Sequence, residues 1–198
     1  MLRVAGGQPT AEIQAPPLVL DQGEKRQRVV LQVREVALEQ EAPESADQAT
    51  AHALDTMKQI NDASEFPPIT HTHYESYFIE PYSLPFHELV ALVKSRFLRS
   101  NAVAQSASDV GIAFDQHEDA IFKHLQFGPM DAQQLRTQYL RWPPDNIPDT
   151  FVFFGLTYQS NAEASFTEES LQRFLANAVT WQLEQAEAAL SCLRSEEA

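Results

Sequence analysis

Apolar residues along this chain change period several times, and each change marks a new element. Between Arg28 and Leu38, Val29, Leu31 and Val33 alternate with other residues, and Val36 and Leu38 continue out of phase. A period of two is the signature of a half-buried strand, and the slip near Arg34–Glu35 predicts a bulge. From Ser45 the spacing becomes helical. Ala49, Ala53, Met57 and Ile60 share a face, Ser45 and Gln48 match a capping box, and Asn61 with Pro67-Pro68 closes the segment. Alternation returns from His73 to Tyr82 with aromatics in both phases, which predicts a strand covered on both faces and closed by Pro81.

The clearest helix is predicted over Ser83–Arg99, capped by Ser83. Phe86, Leu89, Val90, Val93 and Phe97 fall at i, i+3, i+4, i+7 and i+11. Val110–Phe114 and Ile121–Phe127 then read as a hairpin about a polar turn, with Gly128-Pro129 ending its second strand. Asp131 and Gln134 match a second capping box, Met130 staples onto Leu135, and Pro143-Pro144 ends that short helix. In Phe151–Tyr158 the run Phe151, Val152, Phe153, Phe154, Leu156 leaves no polar face, so this strand is predicted to be buried on both sides. A last helix starts at Thr167, supported by a staple of Phe166 onto Leu171, and runs to Arg194. At 1.5 Å per residue that is about 40 Å, against about 20 Å for an average strand. An overhang in need of a cover follows.

The order is β-α-β-α-β-β-α-β-α. Two tandem β-α-β units, residues 73–114 and 121–158, predict a ferredoxin-like split β-α-β sandwich (βαββαβ). An extra N-terminal β-α unit and the long C-terminal helix are added to it. The most apolar strand, Phe151–Leu156, would be an edge in the simplest version, and placing Arg28–Leu38 beside it makes it internal. Residues 1–26, with Gly6, Gly7, Pro9, Pro16 and Pro17, read as a flexible tail in which Leu18–Leu20 docks. Residues 27–198 then form a single α+β domain.

Composition narrows the classes of partner. The chain of 198 residues carries 14 basic and 28 acidic residues, a net −14. Such a balance repels phosphate backbones and anionic lipid, so neither nucleic acid nor membrane is an expected partner. Cys192 is the single cysteine, which excludes an intramolecular disulfide and a cysteine-rich zinc site. Glu184, Glu187 and Glu196 lie near it in sequence, and nothing nearby would lower its pKa into the reactive range. Met1–Leu20 has no sustained apolar core of a signal peptide, and no apolar stretch is long enough to span a bilayer. Together these predict a cytoplasmic protein.

Candidate chemistry is sparse. His71, His73 and Glu75 stand at i, i+2 and i+4, so on a strand all three point one way and could meet one metal ion. His117, Glu118, Asp119 and His124 are the candidates for a further ligand, although His117-Glu118-Asp119 reads first as a turn. His87 sits in the first turn of its helix, which favours a neutral imidazole with a structural hydrogen bond. Gly128-Pro129 before Asp131 resembles an anion-binding helix start, but the acidic cap already occupies the donors. Lys94, Arg96 and Arg99 form the most basic short segment and suit a helix C-terminus. Tyr139, Trp142 and Pro143-Pro144 form a candidate contact patch. No glycine-rich phosphate loop and no nucleophile motif is present, so no catalytic residue and no cofactor is expected.

The leading expectation is a non-enzymatic interaction or regulatory module that self-associates as a homo-oligomer or binds a protein partner. Its contact residues are expected to be Val179, Leu183, Leu190 and Leu193 on the last helix. The alternative is a metal-binding or small-ligand protein, or an enzyme, that uses the His71, His73 and Glu75 strand face.

Overall fold

The computed structural model of the chain describes residues 2–5, 18–32, 35–41, 45–63, 71–99, 102–140, 146–162 and 167–195. Its strands are β1 (Leu2–Ala5), β2 (Leu18–Gln22), β3 (Gln27–Gln32), β4 (Glu35–Gln40), β5 (His71–Pro81), β6 (Ile112–Glu118), β7 (Ile121–Asp131) and β8 (Thr150–Ser160). Its helices are α1 (Ala46–Ala63), α2 (Phe86–Phe97), α3 (Ala102–Ser106), α4 (Ala132–Gln138) and α5 (Glu168–Arg194). The fold is mixed α+β with antiparallel strands and a long C-terminal helix. Among the described residues no helix is long and apolar enough to cross a membrane.

The chain divides into two compact units. The first comprises Met1–Glu75, His117–Lys123 and Thr157–Trp181, and the second Ser76–Gln116, His124–Leu156 and Gln182–Ala198.

In the first unit the strand order is β2-β3-β4-β1-β5. Residues 1–26 read as a tail from sequence, yet Leu2–Ala5 and Leu18–Gln22 are both strands. β1 pairs antiparallel with β4 on one side and β5 on the other. β2 returns along β3 through a 3-10 turn at Gly23–Lys25 and Arg26, whose φ of 52° is left-handed. The prolines and glycines that suggest a tail punctuate the segment but leave Leu2–Ala5 and Leu18–Gln22 able to pair. The predicted single strand Arg28–Leu38 is a hairpin, with Gln32 opposite Glu35. The phase slip falls between two antiparallel strands rather than at a bulge within one. Val29 lies opposite Leu38 and Leu31 opposite Val36, so both strands aim one apolar face at the same core. That core joins Val36, Leu38, Ala53, Met57, Leu171 and Leu175. The predicted α1 stripe is thus its buried face, and the Gln48 N–H donates to Ser45 Oγ at 3.1 Å as the cap requires.

In the second unit the order is β5-β8-β7-β6. A ferredoxin-like sandwich requires β8-β5-β7-β6, so that part of the predicted fold is corrected. The contacts set the directions. Phe78 stacks on Phe154 at 4.8 Å and the Tyr82 N–H donates to the Thr150 carbonyl, so β5 and β8 are antiparallel. Nor are β7 and β8 a parallel pair, because the Asn161 N–H donates to the Ala120 carbonyl just before β7 starts. α4 therefore joins antiparallel neighbours and is no parallel crossover. One edge of β5 is taken by β1 and the other by β8, which leaves no edge of β5 for β7. Residue periodicity carries no information about which strand takes which edge.

The prediction for Phe151–Leu156 holds: every residue is buried. One side chain set, Phe151 and Phe153, packs with Leu135, Ile79, Met130 and Tyr139. The other presents Phe154 to Phe78 and Phe127, and Phe127 meets the edge of Phe97 at 4.9 Å. Gly128 does not end its strand, since β7 continues to Asp131. A Cβ at Gly128 would stand 2.5 Å from the Val110 carbonyl oxygen, so glycine is required by a close backbone approach. α2 starts later than predicted, with Pro85 and not Ser83 at its N-cap and no side-chain cap bond. α4 has the predicted capping box: Gln134 N–H to Asp131 Oδ1 at 2.8 Å and Asp131 N–H to Gln134 Oε1 at 3.0 Å. α5 is capped by Thr167, whose Oγ1 accepts from the Ser170 N–H at 3.0 Å. The predicted Phe166 staple lies outside the described residues.

Leu190 and Leu193, expected on an uncovered overhang of α5, are buried in the second unit. β5, β7 and β8 have 11 residues each, roughly 37 Å at 3.4 Å per residue. α5 buries Leu171, Leu175, Ala178 and Trp181 in the first unit, and Gln182, Ala186, Ala189, Leu190 and Leu193 in the second.

Candidate functional site

β5 opens with His71, and the strand period of two puts His71, His73 and Glu75 in one phase. His71 Nδ1 lies 2.8 Å from Asn161 Oδ1, just past the end of β8, and Gln159 Nε2 donates to the same oxygen at 3.0 Å. An amide oxygen only accepts, so this bond requires the proton on His71 Nδ1, a tautomer whose lone pair lies on Nε2. His73 Nε2 is 3.9 Å from Glu75 Oε2, and both side chains are half-buried. The two imidazole centroids are 6.3 Å apart. The structure thus brings His71, His73 and Glu75 onto one polar strip with Gln159 and Asn161.

The hairpin does not supply a further ligand. β8 lies between β5 and β7, and two strand spacings separate β5 from β7 by about 10 Å. His117 instead packs against Phe122 at 5.0 Å, and Glu118 pairs with Lys123 at 2.7 Å. Lys123 Nζ also stands 5.8 Å from the Tyr158 ring centroid. Asp119 holds a left-handed turn with φ 52°, a conformation that Asp tolerates better than most residues. His124 is engaged by Asp115, Nδ1 to Oδ1 at 2.5 Å. Among the described residues no three His, Cys, Asp or Glu side chains are grouped as a metal ion would need.

Of the other singled-out residues, Lys94 and Arg99 are tied to backbone carbonyls. Lys94 is buried, and its ammonium donates to the carbonyls of Gln105, at 3.2 Å, and Ala107. Arg99 Nε donates to the Ser95 carbonyl at 2.6 Å. His87 is exposed, 3.9 Å from Glu88, and has no buried hydrogen-bond role. Tyr139 packs on Phe153 at 4.4 Å and on Tyr77 at 5.1 Å, while Trp142 and Pro143-Pro144 lie outside the described residues. Cys192 is half-buried and free. Of the expected contact residues, Leu190 and Leu193 are buried within their own unit, Val179 is half-buried, and Leu183 is 58% exposed.

Sequence reasoning passed over the ends of the strand orders. β2 closes the order of the first unit, and Leu18, Val19 and Leu20 are 57%, 39% and 51% exposed. Consecutive strand residues face opposite ways, so both faces of β2 are apolar and open. The signal in the sequence is the run Leu18-Val19-Leu20 followed by Asp21-Gln22-Gly23 and the Arg28–Leu31 strand, a hairpin pattern. β6 closes the order of the second unit and is of the opposite character. Beyond Ile112 it is exposed and carries Asp115 and Glu118. Comparison with protein-family models, curated proteins and solved structures gives no match.

Proposed function

We propose that this chain is a non-enzymatic interaction or regulatory module that associates with a second copy of itself. The observation that supports it is β2, which among the described residues ends its strand order and shows three consecutive exposed apolar residues. An open edge offers unpaired N–H and C=O groups along one side, and natural proteins usually blunt such edges with charge, proline or a covering element. Leu18, Val19 and Leu20 carry neither charge nor proline, and among the described residues no strand pairs beyond β2. Leu183 remains as the exposed member of the helix residues expected to make contact. One free cysteine suits the reducing cytoplasm in which we place the module. Sedimentation equilibrium over a wide concentration range tests the reading: reversible self-association is expected, and a monomer throughout rejects it.

A second reading draws on the His71 tautomer. A histidine whose Nδ1–H is held by an amide oxygen presents Nε2 outward as a base or ligand. A small ligand bound on the His71, His73 and Glu75 strip would use that nitrogen, and a metal ion there would first have to draw the three side chains together, since they are not grouped as they stand. Zinc titration by calorimetry with the native chain and with His71→Ala/His73→Ala decides this: uptake abolished by the substitutions supports it, and absent or unchanged uptake removes it.

A further inference from the structure

We infer that two copies of this chain join through β2 itself, antiparallel about a two-fold axis at Val19, and this rests on the self-association reading above. The two strand-order ends differ in charge. β6 bears Asp115 and Glu118, and the chain as a whole is at −14. A second β6 laid against it about Asp115 or Glu118 would oppose carboxylates, and β2 of another copy would set leucines against these carboxylates and their partners His124 and Lys123. β2 carries the single charge Asp21, at its C-terminal end. The self-pairing of β2 therefore closes as a dimer, whereas a β2-to-β6 contact would continue head to tail.

Charge also selects the register. With the axis at Val19, Leu18 lies opposite the partner's Leu20, Val19 opposite the partner's Val19, and Asp21 falls outside the apolar triplet. With the axis at Leu20, Asp21 is placed opposite the partner's Val19 at the expense of an apolar pair. With the axis at Asp21, two carboxylates face each other. Cross-strand apolar pairs stabilise a sheet, and like charges directly opposite destabilise it. A ladder this short covers much less than the roughly 800 Å² per partner of a standard interface. The dimer is accordingly weak and concentration-dependent.

Single cysteines read the register directly. Directly opposed residues have Cα atoms about 4.5–5.5 Å apart, within the range a disulfide spans. In a Cys192→Ser background, Leu18→Cys, Val19→Cys and Leu20→Cys are oxidised separately at high protein concentration. Val19→Cys is expected to give a covalent dimer. Leu18→Cys and Leu20→Cys are each expected to fail alone, because the like positions are offset along the strand, and to cross-link when mixed together. All three positions are exposed, and circular dichroism verifies folding. Cross-linking of Leu20→Cys alone in place of Val19→Cys overturns the register. A sedimenting dimer that none of the three cysteines traps, and that Leu18→Lys/Leu20→Lys leaves intact, overturns the β2 contact while self-association stands. A monomer at every concentration overturns both.

Discussion

Replacing Lys94 by methionine separates a structural basic cluster from a binding one. Lys94 is near the C-terminal end of α2, buried, with its ammonium on the carbonyls of Gln105 and Ala107. α3, which it reaches, has five residues and buries none of them. A helix that short is not stable by itself, so its position depends on this ammonium and on the Gln105 side chain, which donates to the Leu98 carbonyl at 3.0 Å. Methionine keeps the length and the apolar stem of Lys94 and removes both bonds. A hydrogen bond to a charged group contributes about 1.5–3 kcal/mol. Burying the ammonium offsets part of that, and the freed carbonyls near the surface regain water, so a net loss of about 2 kcal/mol is expected. Urea unfolding measures the total, and hydrogen exchange locates it: protection should fall over residues 102–107 and hold in β8. Sulfate should not stabilise the native chain, because the Lys94 ammonium is already engaged. A loss below about 0.5 kcal/mol with unchanged exchange would refute the argument, and stabilisation by sulfate that Lys94→Met abolishes would assign the cluster to anion binding instead.

Met57→Ala removes a fully buried side chain from the core between α1, β4 and α5, and a loss of about 3 kcal/mol in urea unfolding is expected. Gly128→Ala forces a Cβ to within 2.5 Å of the Val110 carbonyl oxygen; the backbone must yield, and about 2 kcal/mol should be lost, with a lower Tm. Burial pushes the Tyr74 phenol above its usual value. A raised acid makes a contribution that is complete below the unfolded value of about 10 and lost as pH rises through the folded one. Tyr74→Phe should therefore lose less stability than the native chain above that pH, as followed by thermal melts. Difference absorbance of the native chain against Tyr74→Phe should show a late-ionising tyrosinate.

Local elements were legible because local physics makes them. The α4 capping box needs only Asp131 and Gln134 three residues apart, and the α1 cap only Ser45 before an apolar stripe. Burial of Phe151–Leu156 followed from a run with no polar phase. What pairs with what was not legible. The ferredoxin-like order failed because Leu2–Ala5, four residues within a segment that reads as a tail, takes the edge of β5. The α5 stripe identified Leu190 and Leu193 as apolar, but apolar spacing is the same for a core face and a contact face. For the polar strip, the strand period placed His71, His73 and Glu75 together. Asn161, which fixes the His71 tautomer, comes from 90 residues later in the chain, and nothing local connects them.

Salt provides an independent reading of how two such acidic chains meet. Each copy carries −14, so any dimer works against mutual repulsion, and the contact that forms must be one where charge is locally absent. Leu18, Val19 and Leu20 meet that condition, and the Asp21 carboxylate lies outside the paired triplet. The screening length falls from about 30 Å at 0.01 M salt to about 8 Å at 0.15 M. Over that interval the long-range repulsion weakens while the apolar pairing is untouched. Self-association should therefore tighten severalfold as salt is raised, measured by sedimentation equilibrium. A contact built instead from Arg96 and Arg99 against the carboxylates of β6 would be attractive at long range and would weaken with salt. The sign of the dependence is thus decided by the surface used. An association that loosens as salt rises would rule out the β2 pairing and point to the basic end of α2.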